Sequence, residues 1–338
     1  MINRSHQRLT TNLSTLLVMN HFPRRVLICF LLSVPLHPFK LSAAGQYEQI
    51  VTQDQRVTIY YQDAFNEAER KMTRQWLHAV IDALRTVYHV FPMDHFQITL
   101  KRSSSLSGPV PWGHVERGDP TNIVLVINPE LGYDALISDW TAFHEFSHLL
   151  LPYRGYGDIW LSEGLATYYQ NIIQARSGLF DDSEMWHKIV AGFKRGQKQQ
   201  GWRHVNLTEV SDNLGETRQY MRVHWSGVLF WLTADVELRK KGNSSLDDAL
   251  KQLRLCCEGR PMSAEAIVSK LDQVTNETLF VPLFKKYRAS HSIPDYESIL
   301  TDLGVGQEES TGAISLDDDA PLADIRRDTV RANKFEID

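Results

Sequence analysis

The sequence predicts an α+β fold, in which a small N-terminal α/β part with a mixed sheet precedes a mainly helical part. Two observations favour this fold class. Short runs of β-branched and aromatic residues, typical of strands, are confined to the region before residue 133. Beyond that residue, apolar side chains recur almost everywhere at helical spacing. Of the 338 residues, 43% are hydrophobic and 23% charged, a composition typical of globular chains and not of disordered or collagen-like ones.

The first part, residues 45–132, contains three predicted strands and one predicted helix. The strands lie at 56–61, 96–100 and 121–127, where β-branched and aromatic residues alternate or run together. Between the first two strands, residues 66–91 have helical periodicity. This order of elements indicates an α/β subdomain.

The second part, residues 133–304, is predicted to be helical, because its apolar residues recur every three or four positions. The predicted helices are 134–151, 161–177, 183–195, 216–241, 245–256, 263–273 and 276–289. The remaining residues, 305–338, contain nine acidic and four basic residues and little apolar periodicity. That composition predicts an acidic, flexible tail.

The N-terminal segment has the pattern of a secretory signal peptide. Arg24 and Arg25 precede a largely apolar run of nine residues, and small residues stand before Gly45. We therefore expect residues 1–44 to be cut off after Ala44, and the protein to be periplasmic or secreted. No apolar run reaches the roughly 18 residues that span a bilayer as a helix, so we expect no stable membrane span after cleavage.

The charge of the chain argues against a nucleic-acid partner, and its cysteine content predicts the redox state of the thiols. Residues 1–44 contain five basic and no acidic residues, so the formal charge of −5 for the whole chain becomes −10 for the remainder. So acidic a chain is not typical of nucleic-acid binders, and we expect no nucleic-acid partner. The remainder keeps two cysteines, Cys256 and Cys257. Adjacent cysteines rarely pair, and we expect reduced thiols on a helix.

A metal-binding motif lies inside one of the predicted helices. Residues 141–151 contain H-E-x-x-H in an apolar frame, with His144 and His148 one helical turn apart on the same face. Two imidazoles placed in this way can bind one Zn²⁺ ion, with Glu145 beside the open coordination position.

A carboxylate further along the chain can complete this site. Glu163 lies near the start of the next predicted helix, and fourteen residues separate it from His148. Between them, Pro152, Gly155 and Gly157 predict a turn that folds the two helices back on each other. The spacing therefore predicts a catalytic zinc site with two histidines and one glutamate.

The segment around Glu163 resembles known metallopeptidases. Residues 160–166 read W-L-S-E-G-L-A, which is similar to the W-L-N-E-G-F-A segment of aminopeptidase N-like enzymes and to the matching segment of glycyl aminopeptidases. Both belong to the gluzincins, zinc metallopeptidases of the peptidase MA-like kind. Aminopeptidase N-like enzymes usually have eighteen residues between the second histidine and this glutamate, whereas this chain has fourteen. The resemblance implies a zincin (thermolysin-like) catalytic part, one zinc per chain and peptide or protein substrates.

The resemblance also implies catalytic roles. Glu145 would act as general base on a zinc-bound water. Where aminopeptidase N-like enzymes have a tyrosine that stabilises the oxyanion, this chain has His224, and Tyr220 lies one turn earlier. Glu116 occupies the position of the glutamate that holds a substrate's free amine, although the neighbouring methionine and asparagine of that motif are absent.

Two further residues are candidates for orienting the zinc-binding histidines, and some alternatives remain open. Thr167 follows Glu163 by one turn, and Asp139 precedes the zinc motif. The same motif could belong to a non-catalytic zinc-binding scaffold that binds a partner, or to a zinc hydrolase of non-peptide bonds. The residues do not distinguish an aminopeptidase from an endopeptidase.

Overall fold

The computed structural model of the chain describes residues 46–51, 56–103, 108–199, 201–242, 244–308 and 310–331. The predicted signal peptide lies outside these residues. The described residues belong to one compact unit, which contains both predicted parts.

A five-stranded mixed sheet occupies the N-terminal part. Its strands are β1 (Gln46–Val51), β2 (Arg56–Tyr61), β3 (His95–Arg102), β4 (Trp112–Glu116) and β5 (Thr121–Ile127). They lie in the order β1-β2-β3-β5-β4. Strands β2, β3 and β5 are parallel, whereas β1 and β4 pair antiparallel at the two edges. The three predicted strands and the mixed sheet are confirmed, and the edge strands β1 and β4 are additional.

Helices make up most of the rest of the described chain. They are α1 (Glu67–Arg85), α2 (Gly132–Ser138), α3 (Thr141–Ser147), α4 (Ile159–Arg176), α5 (Asp182–Lys198), α6 (Leu207–Asp212), α7 (Leu214–Thr217), α8 (Tyr220–Lys240), α9 (Leu246–Cys257), α10 (Ala264–Thr275), α11 (Phe280–Arg288), α12 (Glu297–Asp302) and α13 (Ala323–Val330). Within the described ranges, none of these helices has the length and apolar character needed to cross a membrane. The predicted α+β class is confirmed.

Helix α1 joins the sheet to the helical part. It begins with a capping box, in which the Asn66 side chain accepts a hydrogen bond from the Glu69 backbone and the Glu69 side chain accepts one from Asn66. Its apolar stripe, including Trp76, Val80 and Leu84, is fully buried. The helix ends at Arg85, six residues before the predicted end.

The predicted helix 134–151 is two helices, because the chain breaks at Asp139. The backbone of Asp139 is extended, with ψ of 138°, and its carboxylate accepts a hydrogen bond of 2.7 Å from the Thr141 amide. This bond satisfies a free amide at the start of α3. Helix α3 therefore has its own beginning, which fixes the direction of the zinc motif.

Helices α4 and α8 cross at two glycines, Gly164 and Gly227. A Cβ atom on either glycine would overlap the backbone of the other. Only residues without a side chain permit two helices to approach so closely. The crossing places the residues that flank Gly164 next to the first turns of α8.

The C-terminal segment is packed and is not a loosely attached tail. Residues 305–331 contain the hairpin strands β6 (Val305–Gln307) and β7 (Ile314–Leu316) and the helix α13. The buried guanidinium of Arg176 donates to the Thr329 carbonyl of α13, to the Thr86 carbonyl and to Asp247. The flexible-tail prediction is wrong for these residues, because such long-range hydrogen bonds leave no periodic pattern in the sequence.

The two adjacent cysteines also differ from expectation. Cys256 and Cys257, at the end of α9, are joined by a disulfide. Both cysteines lie on a helix as predicted, but the prediction of reduced thiols does not hold in this structure.

Candidate metal centre

Helix α3 carries three polar side chains into a buried region beside the sheet. His144, Glu145 and His148 are each less than a tenth exposed. Their apolar neighbours Phe143 and Phe146 are fully buried and hold the helix in place. Buried polar groups require partners, and those of the two histidines come from α4.

The start of α4 is anchored at Asp158, five residues before Glu163. The Asp158 amide donates to Asp212 at 2.7 Å, and the Asp158 carboxylate accepts a hydrogen bond of 3.0 Å from the Trp160 indole. The same carboxylate pairs with Arg288 at 3.3 Å. These contacts fix where the helix begins, and hence where Glu163 projects.

Glu163 faces both histidines of α3. Its Oε2 atom lies 3.2 Å from His144 Nε2, and its Oε1 atom lies 3.7 Å from His148 Nε2. One potential ligand atom from each of the three residues lies within 4.8 Å of the other two. Two imidazole nitrogens and a carboxylate oxygen are the donor set of a catalytic zinc site. The predicted ligands therefore come together as a group that could hold a zinc ion.

Two residues orient the imidazoles from the far side. Gln170 Oε1 lies 2.8 Å from His144 Nδ1, and Ser162 Oγ lies 3.0 Å from His148 Nδ1. Accepting the Nδ1 proton leaves each Nε2 lone pair free for a metal. Sequence reasoning missed both residues, although Gln170 lies two turns after Glu163 on the same helix.

Neither residue predicted for this orienting role has a described hydrogen bond to a zinc-motif histidine. Thr167 Oγ1 lies 3.2 Å from His224 Nδ1, so it orients His224. Asp139 caps α3 through the Thr141 amide, as described above. Their sequence positions were near the site, but their side chains point to other partners.

Burial and neighbouring charges set the protonation of the three residues. Burial lowers the pKa of His148 to about 3, which keeps the imidazole neutral, as a metal ligand must be. Burial alone would raise the pKa of Glu163, but the imidazoles of His148 and His144 hold that pKa well below its usual value. Burial raises the pKa of Glu145 to about 7, which suits a group that accepts and returns a proton near neutral pH.

The edge strand β4 passes directly over Glu145. A Cβ atom on Gly113 would lie 2.7 Å from Glu145 Cγ and 3.1 Å from a Leu125 methyl group. The glycine is therefore required for close approach of the strand to the Glu145 side chain.

Of the two candidates for stabilising an oxyanion, the structure brings only His224 to the cluster. Its Nε2 atom is 3.6 Å from Glu163 Oε2, and its ring is 5.9 Å from the His144 ring. Burial lowers the pKa of His224. Tyr220 is the first residue of α8 and is 45% exposed, without a described hydrogen bond to the cluster.

Glu116 does not reach the cluster. It lies three residues after Gly113 on β4, and side chains of a strand alternate between faces. Its carboxylate accepts a hydrogen bond of 2.7 Å from the Asn122 side chain and lies 3.2 Å from His114 Nε2. The predicted role of Glu116 as an anchor for a substrate amine is therefore not supported by its position, because it is on the face opposite Gly113.

The chain resembles known metallopeptidases in one segment and in fold. Residues 155–234, from the turn before α4 into α8, match the family model of M61 glycyl aminopeptidases. No curated protein sequence matches the chain. The matched segment includes Glu163 and His224.

Among solved structures, an aminopeptidase N family protein from Idiomarina loihiensis is similar, with 13% identity and a TM-score of 0.58, over 82% of this chain and 53% of that one. An M1 zinc metallopeptidase from Deinococcus radiodurans has 16% identity and a TM-score of 0.47, over 74% of this chain and 51% of that one. This chain thus spans about half the length of the structures it matches. In its matched segment, its fold and its two-histidine, one-glutamate cluster, the chain resembles the gluzincin zinc metallopeptidases.

Proposed function

We propose that the chain hydrolyses peptide bonds, with one zinc ion held by His144, His148 and Glu163. The observation that supports this most directly is the convergence of the three ligand atoms within 4.8 Å, beside a buried fourth residue, Glu145, that is not one of them. A structural zinc site has no use for such a base. The non-catalytic scaffold is therefore the weaker interpretation.

In this proposal, zinc supplies Lewis acidity, which polarises the scissile carbonyl group and acidifies water. Glu145 accepts the proton of the attacking water on a carboxylate oxygen and later delivers it to the nitrogen of the leaving amine. The burial that raises its pKa to about 7 supports this exchange in both directions.

His224 is proposed to stabilise the oxyanion. Thr167 Oγ1 can donate to His224 Nδ1, from which it lies 3.2 Å away, so that the imidazole proton resides on Nε2. Nε2 is the atom that faces Glu163 and the cluster. A donor held in this position can stabilise negative charge as it develops on the substrate oxygen.

Strand β4 is proposed to bind the substrate backbone. It lies at the edge of the sheet, so its outer backbone groups are available to an added strand. The close contact between Gly113 and Glu145 would place an extended peptide beside the general base. Extended segments of peptides or proteins are therefore the proposed substrates.

The test combines metal analysis with one substitution. The full chain, offered zinc, should retain about one ion per molecule and hydrolyse peptides. The variant Glu145→Gln should keep the ion but lose at least about a hundredfold in kcat, because the base alone contributes roughly 10²- to 10⁴-fold. A chain that holds no zinc, or hydrolysis that survives the substitution, would contradict the proposal.

We also propose that the protein is exported. The supporting observation is the basic, apolar and small-residue pattern of residues 1–44. Its test is given with the predictions below.

A further inference from the structure

A pocket of about 290 Å³ adjoins the candidate metal centre. His224 and Trp140 line the end near the ligands, where the Trp140 ring lies 5.7 Å from the His144 ring. The pocket extends from there between α4, α5 and α8. A substrate group next to the reacting bond would enter it.

The charged residues of this pocket are basic. Lys188 and Arg195 line its α5 wall, and their seven-residue spacing puts them two turns apart on the same face. The other lining residues are neutral or, for His224, an imidazole, and no acidic side chain is among them. This pocket is thus locally positive in a chain whose formal charge is −5.

The two cations differ in how far they are neutralised. Lys188 pairs with Glu184 at 3.1 Å, an exposed pair on the same helix that water screens. The Arg195 guanidinium lies 5.5 Å from the centre of the Trp225 ring, and no carboxylate pairs with it among the described residues. Stacking on an aromatic ring holds the planar guanidinium in place and leaves its N–H groups free to bind a carboxylate.

The floor of the pocket is polar but is already bonded. Asn171 donates to the Thr167 carbonyl and Gln174 donates to the Gln170 carbonyl, each at 2.8 Å. Each of these bonds uses one N–H group of the amide and ties the side chain to its own helix. The charged donors that face a ligand are the guanidinium and ammonium groups on the α5 wall.

We propose that this pocket, the basic pocket, binds a carboxylate of the substrate close to the bond that is cleaved, with Arg195 as the main contact and Lys188 as the second. The inference rests on the proposed peptidase activity and names its substrate class. Two kinds of substrate supply such a group, namely peptides with Asp or Glu beside the scissile bond and short peptides with a free C-terminal carboxylate.

The experiment compares matched peptides on the zinc-loaded full chain. Each peptide with Asp or Glu beside the scissile bond is paired with its Asn or Gln counterpart, and each is made with a free or an amidated C-terminus. We expect the carboxylate member to have kcat/KM about fivefold higher or more, mainly through KM, and the difference to shrink at high salt. Preference within amidated peptides assigns the side chain, whereas preference only for free termini assigns the peptide end.

The variants test the residues. The double substitution Lys188→Gln with Arg195→Gln should reduce the preference to about one, whereas Lys198→Gln, an exposed lysine on the same helix outside the pocket, should retain it. Equal hydrolysis of acidic and amide peptides by the unmodified chain would overturn the inference. So would loss of the preference in the Lys198 variant to the same degree.

A binding measurement separates this inference from the proposed activity. Calorimetry of the same peptides with zinc-loaded Glu145→Gln should show tighter binding of the carboxylate member, and weaker selectivity when Lys188→Gln and Arg195→Gln are added. Selective binding without hydrolysis in the unmodified chain would contradict the peptidase proposal and support the basic pocket. Hydrolysis without selective binding would support the peptidase proposal and contradict the basic pocket.

Discussion

Gly164 of α4 and Gly227 of α8 lie in direct backbone contact, and this contact brings His224 to Glu163. Glu163 immediately precedes the first glycine, and His224 lies almost one helical turn before the second. The 3.6 Å approach of His224 Nε2 to Glu163 Oε2 therefore depends on two positions that have no side chain.

Gly227→Ala should separate the two helices. Overpacking at a helix crossing costs about 1–3 kcal/mol, so we expect the free energy of unfolding to fall by that amount, and kcat to fall as His224 moves away. Denaturant unfolding and peptide hydrolysis measure the two effects. Gly215→Ala is the control, because a Cβ atom there meets nothing within 4 Å and should change neither quantity appreciably.

Gly113→Ala should impair catalysis more than stability. The new methyl group would press on Glu145 Cγ, displacing the general base or the edge strand. We expect kcat/KM to fall at least about tenfold, since small misplacement of a catalytic group is costly, with bound zinc retained. Gly118→Ala, where the nearest atom would be 3.6 Å away, is the matched substitution. Equal activity of the two variants would contradict the proposed position of Glu145.

Substituting the residues behind the histidines should weaken metal binding. Gln170→Ala or Ser162→Ala removes the partner of one Nδ1 atom, and such losses typically lower metal affinity about 10- to 100-fold. Competition with a chelator measures the change. The Thr167 side chain is hydrogen-bonded to His224 and not to a zinc-motif histidine. Thr167→Ala should therefore lower kcat while leaving zinc affinity near that of the unmodified chain.

His224→Ala should reduce kcat, with little change in KM or in zinc content. Loss of one oxyanion donor typically costs about 10²- to 10³-fold. Tyr220→Phe should have no comparable effect, because its side chain is exposed at the start of α8. A large loss of kcat in Tyr220→Phe, with none in His224→Ala, would assign the oxyanion role to Tyr220 and not to His224.

The exported protein should begin at Gly45. N-terminal sequencing of the protein recovered outside the cytoplasm tests this expectation. Replacing Ala44 with a bulky residue should block cleavage, because the site requires a small side chain. A mature protein that retains residues 1–44 would contradict it.

The three candidate metal ligands were predictable because their geometry is local. His144 and His148 lie one turn apart on a helix, and a turn with Pro152 and two glycines returns the chain to place Glu163. The three predicted strands were equally predictable, because each depends on a short run of β-branched and aromatic residues. Strand alternation also places Gly113 and Glu116 on opposite faces of β4, because the offset between them is odd.

The remaining features depend on contacts between distant segments. Which residue of α4 reaches behind His144 depends on how α3 and α4 are rotated against each other, so Gln170 could not be singled out from periodicity. The closeness of α8 depends on the glycine crossing. The charge content of the C-terminal segment is typical of a solvated tail, but some of its charged groups are buried and bonded. The guanidinium of Arg326, for example, is buried and donates to three backbone carbonyls.

The buried Arg176 guanidinium has a consequence for the order in which the chain can fold. It donates to the carbonyl of Thr86, which is synthesised before Arg176, and to the carbonyl of Thr329, which lies 153 residues after Arg176. Until that last helix has emerged, Arg176 lacks part of its hydrogen bonding, and an incompletely bonded buried cation is costly. Completion of the native structure therefore requires nearly the whole chain. A chain that stops before residue 329 should be unable to complete the hydrogen bonds of the buried Arg176 side chain.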